Sequence, residues 1–248
     1  MTNSRFTGKR ILVTGASSGI GFQIAKLFLQ EGAIVGAHYN NNKERALELL
    51  PIDTNDKCQI FQADLSTSQG VSHLWENYMD WAGNIDVLVN NAATIETPDT
   101  LANLSERAWD KTFDVNLKAP WLLSRAAASV MRKKSNGRII NIASIGVKYG
   151  VGFNSAHYSV SKAALEALTI SLAKEGAPDN VLVNAIRAGV TDTDLHKKLN
   201  RNDLDKRAQL VPIGRLADAR EIANVVLFLA SEDSTFITGS VITVAGGE

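Results

Sequence analysis

The 248-residue chain contains a single cysteine, Cys58, which rules out an internal disulfide and leaves stability to packing alone. Cys58 lies in the alternating run CQIFQA and reads as a buried strand thiol rather than a nucleophile; a reducing compartment is expected. Neither sign of charge is in excess: Lys and Arg number 26, as do Asp and Glu. No global field therefore draws the chain to nucleic acid or to an anionic membrane, and recognition falls to a local site. No run approaches the ~20 apolar residues that span a bilayer, and the opening MTNSRFTGKR lacks the apolar stretch of a signal peptide. A cytoplasmic protein that does not touch a membrane is expected. Repeats, charge blocks and low-complexity linkers are missing too, and the one polar patch, YNNNKER, is short enough for a strand-to-helix loop. Residues 1–248 are thus expected to form one domain, of a size that buries roughly three quarters of its unfolded surface.

What is present is a recurrence of short Val- and Ile-rich runs between longer segments of helical period. The runs are RILVTG, AIVGAHY, CQIFQADL, IDVLVNNA, GRIINIAS, VLVNAIRAG and SVITVAGG. Seven runs, most of them apolar almost throughout, predict a doubly wound parallel α/β sheet with helices on both faces. One long helix is predicted from Ser105 to about Arg132, with the Ser105 hydroxyl as cap and Leu104 and Trp109 as a hydrophobic staple. A second is predicted from near Ser155 to about Glu175. Its Ala163, Ala164 and Ala167 permit close approach, either in the core or at a subunit interface. Trp109 and Trp121 read as core or interface rather than as a substrate platform.

The stretch TGASSGIG, residues 14–21, stands between the strand-like RILV and the helix-like GFQIAKLFLQEG, which Gly32 stops. A helix N-terminus at this point presents unpaired N–H groups and a partial positive charge, and Gly15, Gly19 and Gly21 let a phosphate approach the backbone. A tight turn without a ligand is the weaker reading in this context. The spacing is neither Gly-x-Gly-x-x-Gly nor a P-loop. Instead Thr14-Gly15-x-x-x-Gly19-x-Gly21 resembles the cofactor turn of the short-chain dehydrogenase/reductase family. The resemblance extends through Asp64 in ADL, NNAA at 90–93, Asn116 in VNL, Ser144 in NIAS, Tyr158-x-x-x-Lys162 in YSVSK and the closing GG. The overall pattern is most similar to 3-oxoacyl-(acyl-carrier-protein) reductases. It implies a single-domain Rossmann-like sheet of order 3-2-1-4-5-6-7, NADP or NAD, and hydride transfer between nicotinamide and a ketone or secondary alcohol. It also implies a homo-oligomer, a tetramer in many relatives.

Tyr158 and Lys162, four apart on a predicted helix, share one face, so the ammonium can favour the phenolate. Such a pair standing alone is more often an ordinary surface pair. Ser144 ends the strand RIINIAS at the edge where open α/β sheets place ligands, and its hydroxyl can donate to a carbonyl. A nucleophilic serine is disfavoured by the lack of a Gly-x-Ser-x-Gly elbow and of any histidine in a catalytic motif. By resemblance, Tyr158 gives a proton to the carbonyl oxygen, Ser144 polarises the carbonyl, Lys162 also holds the nicotinamide ribose, and Asn116 belongs to a water-linked proton relay. Pro120 cannot bond back to the Asn116 carbonyl, so a kink that leaves this carbonyl available is expected.

Cofactor contacts are expected from Gly15, Ser17, Ser18, Gly19, Ile20 and Gly21 in the turn, from Asn40 and Lys43 after the second strand, and from Asp64 and Leu65 after the third. Asn91 follows the fourth strand, and Gly189, Thr191 and Thr193 would meet the carboxamide. No acid precedes Glu44 at the end of the second strand, which favours NADP over NAD, with Lys43 as the cation for a 2′-phosphate. No metal site is expected. Residues at about 193–216 are expected to form a substrate lid. The family pattern is broken by Ala93, Ala188 and Ala245, and Ala188, where proline is usual, is expected to loosen the loop beside the nicotinamide. Arg132, Lys133, Lys134 and Lys174 offer a basic patch to an acidic carrier, or simply a solvated helix end. An NAD-dependent alcohol, sugar or steroid dehydrogenase is the alternative enzyme, and a dinucleotide-sensing regulator without turnover the alternative of another class.

Overall fold

The computed structural model describes residues 4–50, 57–98, 100–150, 155–193 and 204–248. All seven predicted runs are strands: β1 (Arg10–Val13), β2 (Ile34–Tyr39), β3 (Cys58–Gln62), β4 (Val87–Asn90), β5 (Gly137–Ser144), β6 (Val181–Ala188) and β7 (Val241–Val244). They form one parallel sheet in the order β3-β2-β1-β4-β5-β6-β7. The crossovers carry α1 (Gly19–Gln30), α2 (Lys43–Leu47), α3 (Ser68–Ala82), α4 (Glu106–Phe113), α5 (Ala119–Arg132), α6 (Gly146–Tyr149), α7 (Ala156–Gly176), α8 (Leu204–Gln209) and α9 (Ala219–Ala230).

Strand alternation divides the core between the two sheet faces. Ile11 and Val13 pack in one layer with Ile24 and Phe28 of α1 and Ile222 and Val226 of α9. Leu12 packs in the other, with Leu74 and Tyr78 of α3 and Leu123 and Met131 of α5. Cys58 is a strand residue as expected, but β3 is an edge strand and the thiol is only half-buried.

The predicted helix from Ser105 is three segments. Ser105 Oγ accepts from the Ala108 N–H at 3.2 Å and caps α4, while Trp109 stacks on Phe113 with ring centroids 4.8 Å apart. Between α4 and α5 lies a π-helical stretch, Asp114–Lys118, in which the Ala119 N–H reaches back to the Asp114 carbonyl. The expected kink is this widened turn. Pro120 then sits in the first turn of α5, where a missing N–H costs nothing.

A buried polar chain ties α7 to the sheet. Asn90 donates to Asn141 Oδ1 (2.8 Å) and Ser124 Oγ (3.1 Å), Asn141 donates to Thr169 Oγ1 (2.9 Å), and Thr169 donates to the Leu165 carbonyl (2.8 Å). Together these bonds fix α7 in register against β4 and β5. Residues 194–203 of the expected lid lie outside the described residues; α8 follows them. Among the described residues no helix is long and apolar enough to cross a membrane.

Candidate active site

A cavity of about 950 Å³ runs along the carboxyl ends of the strands, lined in turn by Gly15 after β1, Asn40 after β2, Asp64 after β3, Asn91 after β4, Ser144 ending β5 and Gly189 after β6. Such a position follows from parallel topology, which leaves the strand ends and helix N-termini on one side.

At one end lies the glycine turn. Gly15 has φ +67° and Gly19 φ +49°, values that side chains other than glycine rarely adopt. A Cβ at Gly19 would stand 2.9 Å from Thr193 Cγ2, so bareness there lets the turn approach the segment after β6. Gly21 differs from the expectation. It is not among the residues lining the cavity; a Cβ there would meet the Gly15 carbonyl oxygen at 2.2 Å, so it serves to seat α1 against the turn. Asn91 lines the cavity, yet its Nδ2 donates to the carbonyls of Thr14 (2.9 Å) and Gly15 (3.1 Å). Thr14 Oγ1 in return accepts from the N–H groups of Asn91 and Ala92, both at 3.0 Å. Asn91 therefore braces the turn from β4.

His38, absent from the sequence reading, braces it from β2. The Gly15 N–H donates to Nδ1 at 3.1 Å, which places the proton on Nε2, and Nε2 donates to the Ala63 carbonyl at 3.1 Å. The ring is buried, and burial pushes its pKa down to about 4, so it is neutral. A histidine within an otherwise apolar strand run was the available signal.

Ser17, Ser18, Ile20, Asn40, Asn41 and Asn42 line the cavity near the turn, as Asp64 and Leu65 do from the third strand. Lys43 does not line it, so the expected cation is not brought to this site; the polar side chains of the turn and of residues 40–42 are hydroxyls and amides, while Lys111 of α4 lines the cavity and acts on Asp64 through its charge. The Ser66 N–H, 2.9 Å from Asp64 Oδ1, holds the Asp64 carboxyl below its usual range.

Ser144, Tyr158 and Lys162 converge on the same cavity. Ser144 Oγ accepts from the Gly146 N–H at 3.1 Å, which leaves its own proton for another acceptor. Lys162 is 2% exposed and donates to the Ile142 carbonyl at 2.6 Å, with Nζ 5.9 Å from the Tyr158 ring centroid. Burial pulls its pKa down to about 8. Asn116 is buried outside the lining: Oδ1 accepts from the Thr94 N–H (2.8 Å), and Nδ2 donates to the Thr94 carbonyl and to Ser161 Oγ (both 3.0 Å). Ser161 donates to the Tyr158 carbonyl at 2.7 Å. The Asn116 side chain thus clamps the loop after β4 to α7 between Tyr158 and Lys162.

Gly189, Thr191 and Thr193 line the opposite wall. The Gly189 N–H donates to the Val244 carbonyl (2.9 Å), Thr191 Oγ1 donates to the Gly189 carbonyl (3.0 Å), and Thr191 forms a bridge with Ala217. These bonds hold the loop that Ala188 was expected to loosen. Further lining residues escaped the sequence reading, among them Lys111, Tyr149, Arg207, Leu210 and Glu248. The proposed basic patch is largely spent, since Arg132 pairs with Glu175 (2.7 Å) and Asp179 (3.5 Å), and Lys134 with Asp86.

Comparison with known proteins agrees with this geometry. A family model described as Enoyl-(Acyl carrier protein) reductase matches residues 15–248. Nodulation protein G of Rhizobium sp. (strain N33) is 36% identical over 242 residues, 97% of each chain. The 3-oxoacyl-(acyl-carrier-protein) reductase FabG of Chlamydia muridarum is 37% identical over 249 residues, 99% of each chain. A solved structure described as a short chain dehydrogenase/reductase family protein is similar with a TM-score of 0.87 at 32% identity, covering 98% of each chain.

Proposed function

The chain belongs to the short-chain dehydrogenase/reductase family, and from that premise we propose an NADPH-dependent reductase of a ketone or 3-oxoacyl thioester acting through Ser144, Tyr158 and Lys162. The observation that carries this reading is that one cavity holds both the glycine turn and those three side chains. A dinucleotide fits the residues present: bare backbone at Gly15 and Gly19 for the pyrophosphate, Asp64 and Leu65 for the adenine, and Gly189, Thr191 and Thr193 for the carboxamide. Bound there, the nicotinamide supplies the hydride.

The side chains do the rest. Tyr158 holds the proton that the carbonyl oxygen takes as its carbon receives hydride. Ser144 directs its remaining proton at the same oxygen and polarises it. Lys162, as an ammonium, favours the phenolate that results. Asn116 takes the positioning part, and its carbonyl the place in a water-linked relay that refills the phenol. Replacing Tyr158 by Phe is expected to lower turnover at least about 100-fold while leaving cofactor binding intact. Unchanged function in that variant would instead mark a dinucleotide-sensing regulator.

For the cofactor, NADPH is favoured by the hydroxyl and amide donors of Ser17, Ser18, Asn40, Asn41 and Asn42, with no carboxylate contributed from the β2 end. Without Lys43 the preference rests on neutral donors and is expected to be modest. A tenfold kcat/KM advantage for NADH would overturn it. The substrate is assigned from relatives named as 3-oxoacyl-(acyl-carrier-protein) reductases. The family model's description favours an enoyl thioester as a second class. A panel of ketones, 3-oxoacyl thioesters and a crotonyl thioester, followed by loss of NADPH absorbance, separates the two. A cytoplasmic homotetramer completes the proposal.

A further inference from the structure

Glu248 lines the cavity with Ser144. Its side chain is 6% exposed, and its Oε1 is ion-paired to Arg207 of α8. Lys148 of α6, the helix that follows Ser144, donates to the Glu248 backbone oxygen at 3.0 Å. The residues just before it are clasped as well: the Ile213 N–H donates to the Gly246 carbonyl at 3.0 Å, and a Cβ on Gly247, at φ +101°, would stand 2.9 Å from Pro212 Cβ. Glu248 is therefore fixed from α6, the short helix that follows Ser144, from α8 and from the loop after α8.

The second carboxylate oxygen is different. Glu248 Oε2 is buried and has no hydrogen-bond partner among the described residues, although the residue lines the cavity. A buried acceptor without a donor costs free energy, and a carboxylate can only accept. Among the described residues no neighbour meets the need, because Arg207 is engaged at Oε1 and Lys148 at the backbone.

We propose that Glu248 is a substrate-recognition residue, whose carboxylate turns Oε2 to the cavity as substrate binds and accepts there a hydrogen bond from a neutral O–H or N–H that the substrate carries beyond its reacting carbonyl. The inference rests on the reductase reading above and narrows its substrate class: a plain ketone leaves the oxygen unpaired, whereas an acyl thioester with an amide in its arm, or a hydroxyketone, satisfies it. An anionic substrate does not fit. It would compete with Glu248 for Arg207 and strip the carboxylate of its one partner.

Two matched pairs test this. The first is the acetoacetyl thioester of N-acetylcysteamine and its N-methyl amide counterpart; the second is 4-hydroxy-2-butanone and 4-methoxy-2-butanone. Each is measured for kcat/KM with NADPH and for equilibrium binding with NADP+ present. The wild-type chain is expected to prefer the donor-bearing member of at least one pair about tenfold, the amide pair or the hydroxyl pair identifying the source of the donor. Glu248→Ala should bring that ratio near one. The ratio within a pair is read because losing the Arg207 partner alters both members together. Equal binding of both members of both pairs to the wild type overturns the inference, whether or not turnover occurs. Selective binding without turnover would uphold the Glu248 site and defeat the reductase reading instead.

Discussion

Lys162 is a cation held without a carboxylate partner among the described residues. Its pKa of about 8 lies below the ordinary 10.5, so the folded state binds its proton less readily than the unfolded chain. The cost is present in full below about pH 8 and fades as the pH rises towards 10.5; it amounts to roughly 3 kcal/mol at neutral pH. Lys162→Met is therefore expected to stabilise the fold at pH 7 by about 1–2 kcal/mol, after allowing about 1 kcal/mol for the lost bond to the Ile142 carbonyl, while turnover falls at least about 100-fold. Urea unfolding at pH 7 and pH 10 checks it: the variant's advantage should shrink at the higher pH, and a variant less stable at pH 7 would refute the account. His38 shows the same sign of shift in a different window. With its pKa lowered from 6.5 to about 4, stability is full above pH 6.5 and is lost as the pH falls through 4. His38→Ala should flatten that acid limb and raise the KM for cofactor about tenfold, through Gly15, with little effect on the KM for the carbonyl substrate. The two histories differ in legibility. Tyr158 and Lys162 were readable because a spacing of four fixes a shared helix face, and Ser144 because it ends an apolar strand. His38 was marked only by being a histidine in an apolar strand run, and the contact of Arg207 with Glu248 joins residues far apart in sequence, which no local pattern announces.

At the scale of elements, the helical period across 105–132 was legible, and so was a disturbance at Pro120. The form of the disturbance was not. A π turn shifts the register by one residue without altering the apolar pattern enough to be noticed, and here it places Asn116 against Thr94 and Ser161. Pro120→Ala restores an N–H that can bond to the Asn116 carbonyl and so favours an ordinary α-helical turn. Stability should change little, since proline is already tolerated in the first turn of α5, whereas kcat should fall about tenfold as the clamp between the β4 loop and α7 loosens. Steady-state kinetics beside thermal unfolding distinguishes this from simple damage: a variant that loses stability and activity together would argue against a positioning part for the π turn. The glycine turn teaches a similar lesson. Its three glycines looked alike in sequence, but Gly15 and Gly19 border the cavity and Gly21 seats the helix, a division set by the neighbours Thr193 and Asn91.

For the whole molecule, sheet order and the two-layer core followed from seven apolar runs and from the topology that the family resemblance implied; the surface was harder to read. Ala163, Ala164 and Ala167 left open whether α7 faces the core or another subunit. The structure puts Ala163 and Ala164 half-buried and Ala167 exposed, so this stripe faces outward, beside Val160 and Ile170, which are 47% and 42% exposed. The neighbouring α4 and α5 expose Trp109 and Trp121, with the Arg125 guanidinium 5.0 Å from the centroid of the Trp121 ring. A second apolar area lies at the far edge of the sheet, where β7 is unpaired on one side and Phe236 is wholly exposed. Small residues flanked by large apolar ones suit helix-to-helix docking, and an open strand edge is a surface that proteins usually cover. Two separate areas of this kind are what a tetramer with two kinds of interface requires. Trp121→Glu and Phe236→Glu, each burying a charge in one proposed interface, are expected to give dimers singly and monomers together in sedimentation velocity. If both single variants sediment as the wild type does, these areas are not the interfaces, and the apolar surface of α4, α5 and α7 needs another occupant.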